Sequence, residues 1–115
     1  IYIIRPEYNS NSQLIFRENF YPMLAGKNVI LLTSTVTTGL TVNKAIESIQ
    51  YYGGILHVIS AVFSSLDEVD GIPVKAVFGV KDVPDYQYTD YRDCPICKAG
   101  RKLDALINPY GYSKL

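Results

Sequence analysis

The feature that most constrains this chain is an apolar run that passes through a threonine-rich loop into a helical pattern, between Val29 and Ile49. Val29-Ile30-Leu31-Leu32 sets four apolar residues in succession, two of them β-branched. Such a run reads as a strand buried on both faces, the usual condition of a parallel strand. Small hydroxylated residues follow around a single glycine, Gly39. Beyond the loop, Val42, Ala45, Ile46 and Ile49 recur at i, i+3, i+4 and i+7, with Asn43, Lys44, Glu47 and Gln50 on the opposite side. That period predicts an amphipathic helix, capped at its start by Thr38 or Thr41 and stopped by Gly53-Gly54. Ile55 to Phe63 is again almost continuously apolar, broken by His57 and Ser60. Strand, helix and strand form a crossover unit, so the two strands are predicted to be parallel neighbours.

A strand that enters a helix through a short polar loop with glycine turns backbone N–H groups toward one point, where an anion can bind. Thr37, Thr38 and Thr41 add hydroxyl donors, and Gly39 permits positive φ or close approach. The loop therefore reads as a phosphate cradle. The alternative is an ordinary strand-to-helix turn with threonine as a cap.

Around this centre the signals are weaker. Ile1-Tyr2-Ile3-Ile4 is β-prone and ends at Arg5-Pro6, where proline removes a donor and holds Arg5 extended. It begins without Met, as if a strand were already under way, and the chain is expected to be a piece of a longer protein. Asn9-Ser10-Asn11-Ser12 reads as a mobile polar loop, Gln13 to Arg17 as a short strand, and Glu18 to Ala25 is ambiguous. Leu66 to Gly71 is an acidic turn, and Ile72 to Phe78 is a further strand with Pro73 at its entry. Residues 1–80 thus read as one partial α/β core. Residues 81–115, rich in Tyr, Asp and Cys, read as a tail that packs on the core or on a partner.

Composition narrows the function classes. Lys and Arg together number 11, as do Asp and Glu, so the 115-residue chain has no net charge. A neutral chain lacks the basic footprint of a nucleic-acid or membrane-surface binder. No apolar run approaches a membrane span and no signal-like start is present, so a cytoplasmic protein is expected.

From Val29 through Thr41, and on through the helix and second strand, the chain resembles type I phosphoribosyltransferases. That family places four hydrophobic residues and two acidic residues before a Thr-x-Gly-x-Thr-like phosphate loop, which Thr37-Thr38-Gly39-Leu40-Thr41 matches. The flanks Gly26-Lys27-Asn28 and Tyr52-Gly53-Gly54, and the ending from Asp104 to Leu115, resemble the orotate phosphoribosyltransferase branch. The resemblance implies a Rossmann-like core with a mainly parallel sheet and flanking helices, present here as the second half of a larger domain. It implies transfer of ribose 5-phosphate from phosphoribosyl pyrophosphate (PRPP), with its magnesium, to a pyrimidine base. On that basis Thr37 to Thr41 hold the 5′-phosphate of a phosphorylated ribose or nucleotide, Leu40 through its backbone alone. Two departures weigh against turnover. The acidic pair that meets the ribose hydroxyls falls on Thr33 and Ser34, which bring no charge to an oxocarbenium-like ribose. The segment Arg5 to Asn11, which matches the loop carrying basic residues to pyrophosphate, keeps Arg5 but has Pro6 in the lysine position. A phosphate-binding or regulatory module without catalysis is therefore the alternative function.

Cys94-Pro95-Ile96-Cys97-Lys98-Ala99-Gly100 resembles a zinc knuckle, whose turn aims two thiolates at one point. Structural zinc takes four ligands. A symmetry mate, a missing N-terminal half, His57 or a carboxylate would have to complete the site. A redox dithiol and a pair of inert thiols are the other readings. His57, the sole histidine, sits in an apolar pattern and reads as structural. The tyrosines of the tail lack the interleaved Lys and Arg of a nucleic-acid surface, and favour a homodimer or interdomain contact.

Overall fold

A computed structural model of the chain describes residues 1–10, 13–90, 92–108 and 110–115. Two short strands open it, β1 (Glu7–Tyr8) and β2 (Leu14–Ile15), paired antiparallel. A 3₁₀ turn at Glu18–Phe20 and the short helix α1 (Tyr21–Leu24) lead to β3 (Asn28–Val36). Helix α2 (Leu40–Tyr51) and strand β4 (Ile55–Ser64) complete the central unit. Then come β5 (Glu68–Val69), β6 (Ile72–Gly79), a 3₁₀ turn at Val80–Asp82, α3 (Pro95–Lys98), β7 (Ala105–Asn108) and β8 (Gly111–Lys114). The main sheet has the order β3-β4-β6-β5, and β7 and β8 form a separate antiparallel hairpin.

The predicted crossover is present. β3 and β4 are parallel, with Leu31 opposite Ile59 and Thr33 opposite Ala61. β6 extends the parallel sheet from β4, with Val74 opposite Ile59. Val42, Ala45, Ile46 and Ile49 are all buried, as the helical period requires, because that face of α2 lies on the sheet. Val42 and Ile46 join Val36, Ile59, Ala61, Val69 and Val74 in one cluster. At the C-terminus of α2, Gly53 adopts φ +75°, a left-handed conformation that costs a side chain with Cβ energy. Its N–H donates to Gln50 O at 2.9 Å and that of Gly54 to Ile49 O at 2.8 Å, a Schellman stop.

Several expectations are corrected. Ile1 to Ile4 forms no strand, and Ile1 and Ile3 are exposed, because no described strand pairs with them. The acidic turn is present, with Asp70 and Gly71 both at positive φ as a tight turn of the I′ kind needs, but it also carries an unexpected strand, β5, paired antiparallel with β6. The sheet is therefore mixed. β3 is not buried on both faces either. Ile30 and Leu32 are 61% and 72% exposed, and Val77 of β6 is 72% exposed. Helix α2 covers one face, and among the described residues no helix covers the other, so this is an α/β unit without a doubly covered Rossmann core.

The N-terminal strands dock on the exposed edge of α2. Ser48 Oγ donates to Leu14 O at 2.7 Å, Tyr52 OH to Phe16 O at 3.1 Å, and the rings of Phe16 and Tyr52 meet edge to face at 5.2 Å. Asn9 is clamped to Gln13 through backbone and side chain. The polar loop read as mobile thus starts from a fixed residue, and its Asn11 and Ser12 lie outside the described residues, as do Tyr91 and Pro109 of the tail. Tyr86 from the tail packs its ring on Phe63 at 4.8 Å. No helix among the described residues is long and apolar enough to cross a membrane.

Candidate functional site

The threonine loop runs from the end of β3 at Val36 to the start of α2 at Leu40. Gly39 is the N-cap, with φ 77° and ψ −9°. This corrects the expected cap. Thr41 lies inside the helix, and the Thr38 hydroxyl accepts the Leu40 N–H only at a long 3.5 Å. The local reason is steric: the chain turns from strand to helix through a left-handed residue, which glycine adopts without a Cβ penalty. A Cβ at Gly39 would also stand 3.4 Å from Val69 Cγ1 and 3.5 Å from Leu66 Cδ1. Gly39 is buried against these two side chains, so the loop has an apolar floor.

The first intrahelical acceptor in use is Gly39 O, which takes the Asn43 N–H at 2.8 Å. The amides of Leu40, Thr41 and Val42 precede it, so helix geometry gives them no intrahelical acceptor. They point out of the positive end of a helix of 12 residues. Thr38 and Thr41 are exposed beside them, and Thr37 is half-buried. Amides of this kind, at a helix start and without intrahelical acceptors, are the donors that anions use in general.

Ser64 and Ser65 hold the loop from below, and sequence reasoning missed both. Ser65 N–H donates to Val36 O at 2.9 Å, and its hydroxyl reaches Thr37 O at 3.0 Å and Val36 O at 3.4 Å. Ser64, which is buried, donates to Leu66 O at 2.6 Å and accepts the Leu66 N–H at 3.1 Å. These bonds fix the start of the loop and the position of its floor. The signal was present, since two serines end a strand that the crossover sets beside β3. Their role depends on a pairing between distant segments.

Thr33 and Ser34 lie within β3 and, as consecutive strand residues, project to opposite faces of the sheet. Thr33 is half-buried and Ser34 exposed. The segment that resembles the pyrophosphate loop is in part strand: Glu7 and Tyr8 belong to β1, and Glu7 is ion-paired with Arg17. His57 is exposed rather than enclosed in the apolar strand, and its Nε2 lies 2.8 Å from Asn28 Oδ1. Neither of two open clefts, one between β2 and α2 and one beside residues 101–104, is lined by the threonine loop.

The cysteine pair sits apart from this loop in sequence, around α3. Cys94 is its N-cap and its sulfur accepts the Cys97 N–H at 3.5 Å. That backbone bond, with further donors from Cys97, Ile96 and Thr89, holds the Cys94 thiol below its ordinary pKa. Cys97 is pushed up, first by its hydrogen bond to Cys94 and then by that sulfur's charge. Among the described residues no strand leads into the pair, which separates it from a thioredoxin-type arrangement. Among them, too, no group of three or more His, Cys, Asp or Glu side chains is placed to hold a metal.

With this geometry in hand, three relatives are informative. The chain is 34% identical to an orotate phosphoribosyltransferase of Thermotoga maritima over 92 residues, which are 78% of this chain and 46% of that protein. It is 33% identical to the orotate phosphoribosyltransferase of Thermotoga neapolitana over the same shares. A transcriptional regulator GfcR of Picrophilus torridus is 30% identical over 77 residues, 65% of this chain and 38% of the regulator. The chain spans less than half the length of the curated relatives it matches. No family model matches it. These similarities support a phosphoribosyltransferase-like relationship, and they include a regulator beside the enzymes.

Proposed function

We propose that this chain is the phosphate-binding part of an orotate phosphoribosyltransferase-like protein, with Thr37 to Thr41 around the 5′-phosphate of a ribose phosphate. One observation carries the reading. A left-handed glycine opens a three-turn helix, so that the Leu40, Thr41 and Val42 amides emerge together beside threonine hydroxyls. Transfer would pass the ribose 5-phosphate of PRPP to a pyrimidine base with loss of pyrophosphate. The loop's part is to anchor the phosphate that does not react and so position the ribose, which is binding energy directed to orientation.

Thr33 and Ser34 offer hydroxyls and no carboxylate at the ribose side, so this chain's own residues there bring no negative charge to a magnesium ion carried in with PRPP. The same absence of charge favours a second reading, in which the cradle binds a phosphorylated ligand and the protein regulates instead of turning it over. The regulator among the relatives supports that reading.

Calorimetry with ribose 5-phosphate, PRPP and UMP, joined to an orotate turnover assay on the full-length protein, tests both. Binding with turnover that Gly39→Val removes supports the enzyme. Binding without turnover supports the regulatory module. A folded protein that binds none of the three refutes the phosphate site itself.

A further inference from the structure

The Cys94–Cys97 turn lies outside the proposed phosphate site and takes no part in it. Its backbone makes a tight turn that brings the two cysteines toward either end of α3. Lys98 N–H returns to Cys94 O at 3.0 Å, Gly100 N–H to Cys97 O at 3.0 Å and Arg101 N–H to Ile96 O at 3.1 Å, so α3 closes on itself within one turn. Gly100 has φ +67°, which lets the chain leave that turn at once. The Cys94 sulfur already receives the Cys97 N–H, the kind of outer support that thiolate ligands use. Cys97 is exposed, and the two thiols are free rather than bridged.

We propose that Cys94 and Cys97 are half of a tetrathiolate zinc site, completed by the same pair from a second copy of the chain. Zinc of the structural kind takes four ligands, arranged tetrahedrally at about 2.3 Å from sulfur. One chain supplies two, and among its described residues no third donor stands with them. A second copy doubles the set by symmetry without any new residue. The surroundings suit that partner. Ile96, between the cysteines, is 47% exposed, and Leu103 is 62% exposed across the cleft it shares with Arg101 and Lys102. A zinc ion with four thiolates is a dianion, and the cleft beside Ile96 carries Arg101 and Lys102 against a single Asp104, a net positive charge from each copy. Each bound thiol gives its proton to solvent, so no oxidant or co-reactant is required.

The test adds cobalt(II), then zinc, to the reduced chain and follows the cobalt–thiolate absorption together with sedimentation. The expected result is an intense tetrahedral cobalt spectrum that saturates at about one metal per two chains. The sedimenting mass should double with it and return to the monomer on chelation. Cys97→Ser should lose both the spectrum and the metal-dependent doubling while its far-ultraviolet circular dichroism stays unchanged. One metal bound per monomeric chain, no thiolate band, or metal-dependent doubling that persists in Cys97→Ser would each overturn the proposal.

Discussion

Replacing Gly39 by alanine tests the loop's architecture on two independent scales. At φ +77° a residue with Cβ costs about 1–2 kcal/mol. The new methyl would meet Val69 Cγ1 at 3.4 Å and Leu66 Cδ1 at 3.5 Å, which is ordinary contact, so sterics add little beyond the backbone cost. The expected loss is therefore about 1–2 kcal/mol, which for a domain of this size lowers Tm by roughly 4–12 °C. Gly26→Ala serves as the control, because Gly26 has φ +68° and nothing lies within 4 Å of where its methyl would stand. Both variants should lose similar stability in urea unfolding. Only Gly39→Ala should weaken ribose 5-phosphate, by about tenfold if the amides move far enough to lose about 1.4 kcal/mol. Equal affinity in the two variants, or a Gly39→Ala chain as stable as wild type, would refute the argument that this glycine sets the cradle.

Other consequences follow from the same packing. Gly54→Ala places a Cβ 2.7 Å from Ile49 Cγ2 and 3.2 Å from Ile49 O, so denaturant unfolding should show a loss of about 1–3 kcal/mol from overpacking. Ile46→Ala empties a site that is 1% exposed in the central cluster and should cost about 2–5 kcal/mol in the same assay. Ser65→Ala removes the hydroxyl bonds to Val36 O and Thr37 O, and calorimetry should find about 1 kcal/mol less stability together with weaker phosphate binding. A Ser65→Ala chain that binds phosphate as before would mean that the hydroxyl does not position the loop.

The central crossover was legible because its signals are local and strong. Four buried positions at helical spacing, two apolar runs and a double glycine specify β3, α2 and β4 with little help from the rest of the chain. The N-cap differs from the expected one for a definite reason. Threonine hydroxyls satisfy caps well, but here the loop must pass a left-handed residue, and that requirement outweighs one side-chain bond. The turn at Asp70-Gly71 was legible, but the two-residue strand Glu68–Val69 before it was too short to show an alternation of its own. Continuous hydrophobicity at Val29 to Leu32 could not say which face finds cover, and Ile30 and Leu32 are exposed on the face opposite α2. The junction that carries the proposed site was legible because it is contiguous, with β3 ending at Val36 and α2 starting at Leu40. Ser65, Leu66 and Val69 reach it from beyond β4, a relation set by tertiary pairing alone.

Whether the loop holds a phosphate is read most directly by an amide-resolved NMR titration of the chain with ribose 5-phosphate. Saturable shifts are expected, concentrated at the Leu40, Thr41 and Val42 amides, where the helix offers donors without intrahelical acceptors. Saturable binding that leaves those three amides unmoved, or no binding by the folded chain, would contradict a phosphate held there.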